Sequence, residues 1–342
     1  MAPETKGRAG TQTRLLGVVL VIAAAVLWSG GGIGVKSIDL PPLAIAGYRA
    51  LFAIPVMALD AVLRARRNRA VLAPLFRRWR VWGAALSYAL MVVTFVISAK
   101  IGSPSNAILI QYSGPIYVAI FAWPILHEKL RFADGFAIAG CLVGLAIFFG
   151  GKLAPGELAG NAFAVLSSFG FAGLPLFMLA EERALRERPT GSTEGTSISL
   201  AETTVAPIVS MTLGNAIAAL ICAPAVASHR PSGGDLGVLF LLGTFQIGVP
   251  YILYGIAVRH LRAVESSLLA TVEPLLTPLW LFLFQGEIPG KSALFGGGVI
   301  VSAVAIQSLA SALGRPADGE AAAGPSRVGP ATEPSAKGAD PP

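Results

Sequence analysis

Ten apolar runs, each long enough to cross the roughly 30 Å of hydrocarbon in a bilayer, restrict the fold of this chain more than any other feature. They are Leu15 to Val35, Leu40 to Leu63, Val81 to Ala99, Pro104 to Leu126, Asp134 to Gly150, Leu158 to Ala180, Thr203 to Ala227, Leu236 to Val258, Val264 to Gln285 and Ser292 to Ser311. Together they take up 217 of the 342 residues. Lipid offers the backbone no hydrogen-bond partners, so only helices or a closed barrel can span it. The runs lack the in-out alternation of a membrane barrel. An all-α integral membrane protein of ten transmembrane helices is therefore expected.

Composition agrees: 54% of residues are hydrophobic and 13% charged, where soluble domains carry about a quarter charged residues. The net charge of +7 sits in short gaps between the runs and reads as topology rather than a nucleic-acid surface. Placing the N-terminus in the cytoplasm puts twenty cations there, including Arg14, the Arg64 to Arg80 cluster, Lys129, Arg131, Arg183, Arg259 and Arg262. Five fall on the other side, and Arg49 lies within a run. The expectation is a multi-pass protein of the inner (plasma) membrane with both termini cytoplasmic. The first run has basic residues before it and Ala23 to Ala25 within it, like a signal peptide. Its length and the nine runs that follow favour a retained span.

An offset of 159 residues brings Pro115 onto Pro274 and Glu128 onto Glu287. Ile97, Leu109, Phe136, Ala146 and Ile147 also meet identical residues at that offset. The reading is two units, 14–151 with spans one to five and 157–311 with spans six to ten. Five spans per unit is odd, so the second unit enters the membrane upside down, as in many secondary transporters. Residues 1–13 and the Ala/Gly/Pro-rich tail 312–342 read as disordered.

The chain resembles a known family in LWSGGGIGVK (Leu27 to Lys36), Arg49, SPSNAILIQYSGPIYVAIF (Ser103 to Phe121) and HEKL (His127 to Leu130). The second half adds GTFQIGVPYILYGIAVRHLRAVESSLLATVEPLLTPLWLFLFQGEIPG (Gly243 to Gly290). In this order the segments resemble the EamA-type permeases of the drug/metabolite transporter superfamily, over roughly Leu15 to Ser311. Two departures are Gly114, where the second half has Glu273, and HEK in place of Gly-Glu at the end of the first motif. The resemblance implies export of small organic metabolites such as amino acids. It also implies a central cavity between spans one to four and six to nine, with the fifth and tenth at the periphery or between protomers of a homodimer.

Two charges fall near mid-bilayer, Arg49 in span two and Glu273 in span nine. A lone charge there costs ~2.5–3.5 kcal/mol on insertion scales, so each must face protein or water and find a partner. Arg49 could anchor a substrate carboxylate, and Glu273 could carry a proton or meet an amine. Alternatively the two could pair, or each could pair with backbone and hydroxyls, and so hold the halves together. Pro115 and Pro274 each remove a backbone donor mid-span, which kinks the helix and frees a carbonyl. Around them lie Gln111, Tyr112, Gln246, Tyr251, Tyr254 and Thr271, with Trp28 and Tyr88 in other spans, as candidate pocket residues. Each aromatic could equally anchor at an interface or fill the core.

Other features have plainer readings. Asp60 should pair with Arg64 one turn on, Glu128 and Glu287 mark chain reversals, and Gly140 with Gly144 should allow close helix packing. GEIPGKS (Gly286 to Ser292) is one residue short of a phosphate loop. The three histidines lack metal spacing, and HExxH, GxSxG and CxxC are absent. No cofactor, metal or enzymatic activity is expected. The leading reading is a secondary transporter of small organic solutes, with the bilayer, a solute and a coupling proton as partners. The alternatives are a membrane enzyme acting on a lipid-linked substrate and an uncoupled facilitator.

Overall fold

A computed structural model of the chain describes residues 3–66, 69–102, 104–150, 158–187, 193–285 and 290–313. Every regular element among them is helical. In chain order the α-helices are α1 (Pro3–Trp28), α2 (Gly31–Ser37), α3 (Pro42–Ala65), α4 (Leu72–Leu75), α5 (Trp79–Ile101), α6 (Pro104–Gln111), α7 (Gly114–Leu126) and α8 (Phe132–Phe148). There follow α9 (Leu158–Arg186), α10 (Thr193–Ser228), α11 (Gly233–Leu241), α12 (Val249–Ala257), α13 (Ala263–Ala270), α14 (Glu273–Gln285) and α15 (Lys291–Leu313). Helix α1 is continuous from Pro3, so most of residues 3–13, expected to be disordered, has helical backbone. Pro3 at the start and no internal proline allow the helix to extend back from the apolar run. The tail beyond Leu313, Glu287 and most of GEIPGKS lie outside the described residues.

Seven stretches among the described residues are long and apolar enough to cross a membrane, and Gln12–Trp28 and Phe132–Phe148 are shorter apolar helices. Three runs read as continuous spans are instead broken. The first stops at Trp28, turns through Ser29 and Gly30, and resumes as α2. The fourth divides into α6 and α7, and the ninth into α13 and α14. Pro115 and Pro274 are therefore not mid-helix kinks; each is the second residue of a new helix. There its missing N–H leaves no bond unmade and its fixed φ suits a first turn.

The two breaks are built alike. Ser113 N donates to Ile110 O (3.0 Å) and Ile116 N to Ser113 O (2.9 Å). Val272 N donates to Leu269 O (3.2 Å) and Leu275 N to Val272 O (3.1 Å), each bond 159 residues further on. At each break a hydroxyl adds a second bond to a carbonyl one turn back, Ser113 Oγ donating to Ile110 O and Thr271 Oγ1 to Leu268 O. The bounds of α6 and α13, and of α7 and α14, differ by the same 159 residues at both ends. A further irregularity is the π-helical turn Leu242–Gly248, which joins α11 and α12 into one rod. Pro250 follows it and cannot donate, and widening the turn accommodates the lost bond.

Close packing brings α5 onto α9, α3 onto α10, α8 onto α15 and α1 onto α12. At Gly170 on α9 a Cβ would lie 2.5 Å from Ser87 O and 2.6 Å from Met91 N, so only glycine lets α5 approach. Gly144 performs the same service on α8, where a Cβ would meet Gly296 O at 2.9 Å on α15, in keeping with the Gly140 and Gly144 reading. Outward faces are apolar: Leu15, Ile120, Trp123, Val143, Leu220, Phe295 and Leu309 are all exposed. Such a surface suits acyl chains and would be a liability in water.

Candidate functional site

The backbone irregularities converge on one place. The end of α1, the α6/α7 break, the π-helical turn and the start of α14 all contribute to a cavity of about 60 Å³, which has room for several water molecules. Irregular backbone at membrane depth is tolerated where it lines such a space.

Arg49, on α3 and only 5% exposed, donates from Nη2 to Gln246 Oε1 at 2.6 Å. Gln246 sits in the π-helical turn and donates from Nε2 to the Trp28 carbonyl at 3.2 Å. The amide thus reads both neighbours, acceptor toward the cation and donor toward the carbonyl. Trp28 packs on Tyr251 and Tyr254 with ring centroids 4.9 and 5.6 Å apart. Arg49 Nε and Trp28 Nε1 are buried donors with no hydrogen-bond partner among the described residues.

Across the cavity Glu273, first residue of α14, accepts a 2.5 Å hydrogen bond from the Tyr112 hydroxyl. Tyr112 lies in the α6/α7 break and is braced edge-on by Phe171 at 5.5 Å. Gln111 beside it donates to Ser167 Oγ (3.1 Å), which donates on to Met91 O (3.0 Å). Among the described residues no ion pair joins Arg49 to Glu273, and each bonds a neutral partner instead. The reading in which the two charges pair directly is not what the geometry gives.

Eight of the sequence candidates line the cavity: Trp28, Arg49, Gln111, Tyr112, Gln246, Tyr251, Tyr254 and Glu273. Tyr88 and Thr271 stand outside its lining. Both are 0% exposed; the Tyr88 hydroxyl accepts from Asn215 Nδ2 at 3.0 Å and Thr271 faces Cys141. Thr271 points away because the break turns it toward α8, and Tyr88 acts from behind by packing on Tyr251 at 4.8 Å.

Comparison with known proteins decides the class. The family model described as the EamA-like transporter family matches the chain twice, over residues 15–150 and 192–309. This chain belongs to that family. The EamA-like chain is also 24% identical over 294 residues to a protein of Archaeoglobus fulgidus named an uncharacterized transporter, covering 85% of this chain and 95% of that one. A crystal structure 20% identical superposes with a TM-score of 0.66, covering 86% of this chain and 98% of the other, so the fold is shared. The chain is a multi-pass membrane protein of a transporter family.

Sequence reasoning missed the apolar walls of the EamA-like cavity, which include Met91, Phe95, Phe171, Leu174 and Ile247. An apolar residue in an apolar run carries no mark of which way it faces. It also missed Asp134, 0% exposed, which accepts from Arg262 Nη1 (2.8 Å), Gln307 Nε2 (2.9 Å) and the Arg131 backbone (3.0 Å). Asp134 three residues after Arg131, in the first turn of a helix, was the available signal. Asp60 and Arg64 pair locally as expected, at 2.6 Å. Glu128 does more than mark a reversal, since it pairs with Arg183 and lies 3.9 Å from Arg262.

Proposed function

We propose that this protein is a secondary transporter that moves small zwitterionic or carboxylate-bearing metabolites, amino acids among them, out of the cell by alternating access. The observation that carries the substrate class is the separation of charge in the cavity. Arg49 and Glu273 occupy it without neutralising one another, with an aromatic wall beside them. A solute carboxylate would satisfy Arg49 Nε and Trp28 Nε1, both buried donors in want of an acceptor. A solute ammonium, or a proton, would meet Glu273. Arginine is the residue suited to hold a carboxylate in this way.

The layout in this reading is ten spans in two oppositely oriented units, 14–151 and 157–311. The equal offset of the two helix breaks supports it, as does the pattern of neighbours. Exchanging the halves maps the α5–α9 contact onto that of α1 with the α12 rod, and maps α3–α10 and α8–α15 onto themselves. The ends differ chemically. Toward one end ion pairs cross between the units, Arg14 with Glu265, Arg183 with Glu128 and Arg262 with Asp134. Toward the other, Asn106 Nδ2 donates to Asn161 Oδ1 at 3.1 Å. These contacts would make and break as the cavity opens to each side in turn. The ion-paired end is taken as cytoplasmic, in the inner membrane, by the cation count. A proton gradient acting through Glu273 supplies the energy, and the protein acts without cofactor or catalysis.

The test is uptake and exchange of labelled solutes in liposomes, with and without a pH step. Faster accumulation of amino acids under the step supports coupling. Equal rates with and without it would mean an uncoupled facilitator, and no flux of any amino or carboxylic acid would sink the substrate class.

A further inference from the structure

A second cavity, about 360 Å³, lies at the ion-paired end of the bundle. Its walls come from α1, the α7–α8 loop, α9, the junction of the α12 rod with α13, and the end of α15, apart from the central site. Six arginines face three glutamates there. Four of the arginines are accounted for. Arg14 pairs with Glu265, Arg183 with Glu128, Arg186 with Glu182 at 2.8 Å, and Arg262 with Asp134 at 2.8 Å behind the wall. Among the described residues Arg259 and Arg131 are left without an ion pair, and Arg259 Nε is buried with no hydrogen-bond partner.

Glu182, already bonded by Arg186, offsets part of the charge on Arg259; guanidinium groups with no direct ion pair in a half-enclosed space are still costly unless a further anion joins them. The guanidinium fork matches a phosphate or carboxylate face in shape as well as charge. Beside the cavity Leu15 and Leu16 follow Arg14 along the chain, and Leu309 follows Ser308, whose carbonyl Arg14 grips at 2.7 Å. All three leucines are exposed on the outer face, where an acyl chain would run. Basic pockets between helices at a membrane surface are suited to anionic headgroups.

We propose that this cavity is a phosphate oxyanion site in which Arg259 and Arg131 bind the anion, carried by a phospholipid headgroup or by a free phosphate. The site stands apart from the transported solute and does not depend on its identity. It spans both units, so an occupant holds this end of the bundle together.

The test uses the full chain in detergent and three probes: inorganic phosphate, dioctanoyl phosphatidic acid and dioctanoyl phosphatidylcholine. Binding is read by native mass spectrometry and by the shift in melting temperature. Saturable binding of phosphatidic acid, weakened about tenfold by either Arg259→Gln or Arg131→Gln and untouched by Arg230→Gln on the opposite loop, supports the site. Binding of inorganic phosphate with the same dependence on the two arginines assigns a free anion as a source, and phosphatidic acid alone assigns the lipid. Arg259→Lys, which keeps the charge, should retain part of the affinity and guards against a variant that fails to fold. The proposal is overturned if the wild-type chain binds phosphatidic acid no better than phosphatidylcholine and does not bind phosphate. It is equally overturned if binding survives both Gln substitutions unchanged.

Discussion

Tyr112 donates its hydroxyl to Glu273 at 2.5 Å, and the two residues stand at corresponding helix breaks of the chain's two halves. The bond therefore joins the two halves of the chain, with a carboxyl on one side and an aromatic brace on the other; in the proposed mechanism it lies where the halves move against each other.

Replacing Tyr112 by Phe keeps the ring packed on Phe171 and removes the donor alone. A hydrogen bond to a charged group contributes roughly 1.5–3 kcal/mol. The coupled transport rate should drop by about tenfold or more, with melting temperature nearly unchanged. Proton-driven uptake in liposomes, compared with thermal unfolding of the same preparation, measures the split; equal loss of stability and transport would make the bond structural.

Glu273→Gln keeps the shape and the Tyr112 contact but cannot exchange a proton. Acceleration by a pH step should vanish while solute-for-solute exchange persists. A variant that retains the wild-type response to the step would remove Glu273 from the coupling role.

Arg49 and Gln246 should behave as one unit because their side chains share a 2.6 Å bond. Arg49→Ala is expected to weaken carboxylate solutes by about 10–100-fold, the range for a charged hydrogen bond, and to spare amines that lack a carboxylate. Gln246→Ala should give a smaller loss in the same direction, and the double variant less than the product of the two. Competition assays with paired acids and amines read this, and equal loss for both solute types would contradict it.

The Asp134–Arg262 pair is an enclosed ion pair of the basic end, with side-chain exposures of 1% and 21%. Removing one partner of a buried pair costs ~3–5 kcal/mol, so Asp134→Ala should lower unfolding stability by about 3 kcal/mol. Arg262→Ala in that background should add little, giving a coupling of about 0.5–3 kcal/mol in the double-mutant cycle. Additive losses from denaturant unfolding in detergent would argue against the pair.

Topology is checked by single cysteines at the exposed positions Arg66, Glu187 and Arg230, since native Cys141 and Cys222 are buried. An impermeant maleimide applied outside whole cells should label position 230 and leave 66 and 187 untouched. Labelling of 66 and 187 on opposite faces would break the two-unit layout.

Most of the helical architecture was legible in the chain because lipid imposes a rule that each segment must meet alone. A run of about twenty apolar residues reports its own solvent, and the Pro115 and Pro274 pair pointed to two segments that match at one offset. Arg49 and Glu273 stood out for the same reason, as charges where charge is expensive. The tertiary structure decided whom they touch. It broke three of the runs, at Ser29, Tyr112 and Thr271, widened the turn at Gln246, and gave each charge a neutral partner instead of the other. It also chose which aromatics face the cavity, admitting Tyr251 and burying Tyr88, and it gathered Arg131 and Arg259 at one end. Partition into lipid is a property of a segment, readable in one dimension. Direction and partnership depend on how helices far apart in sequence pack, so no local pattern could have carried them.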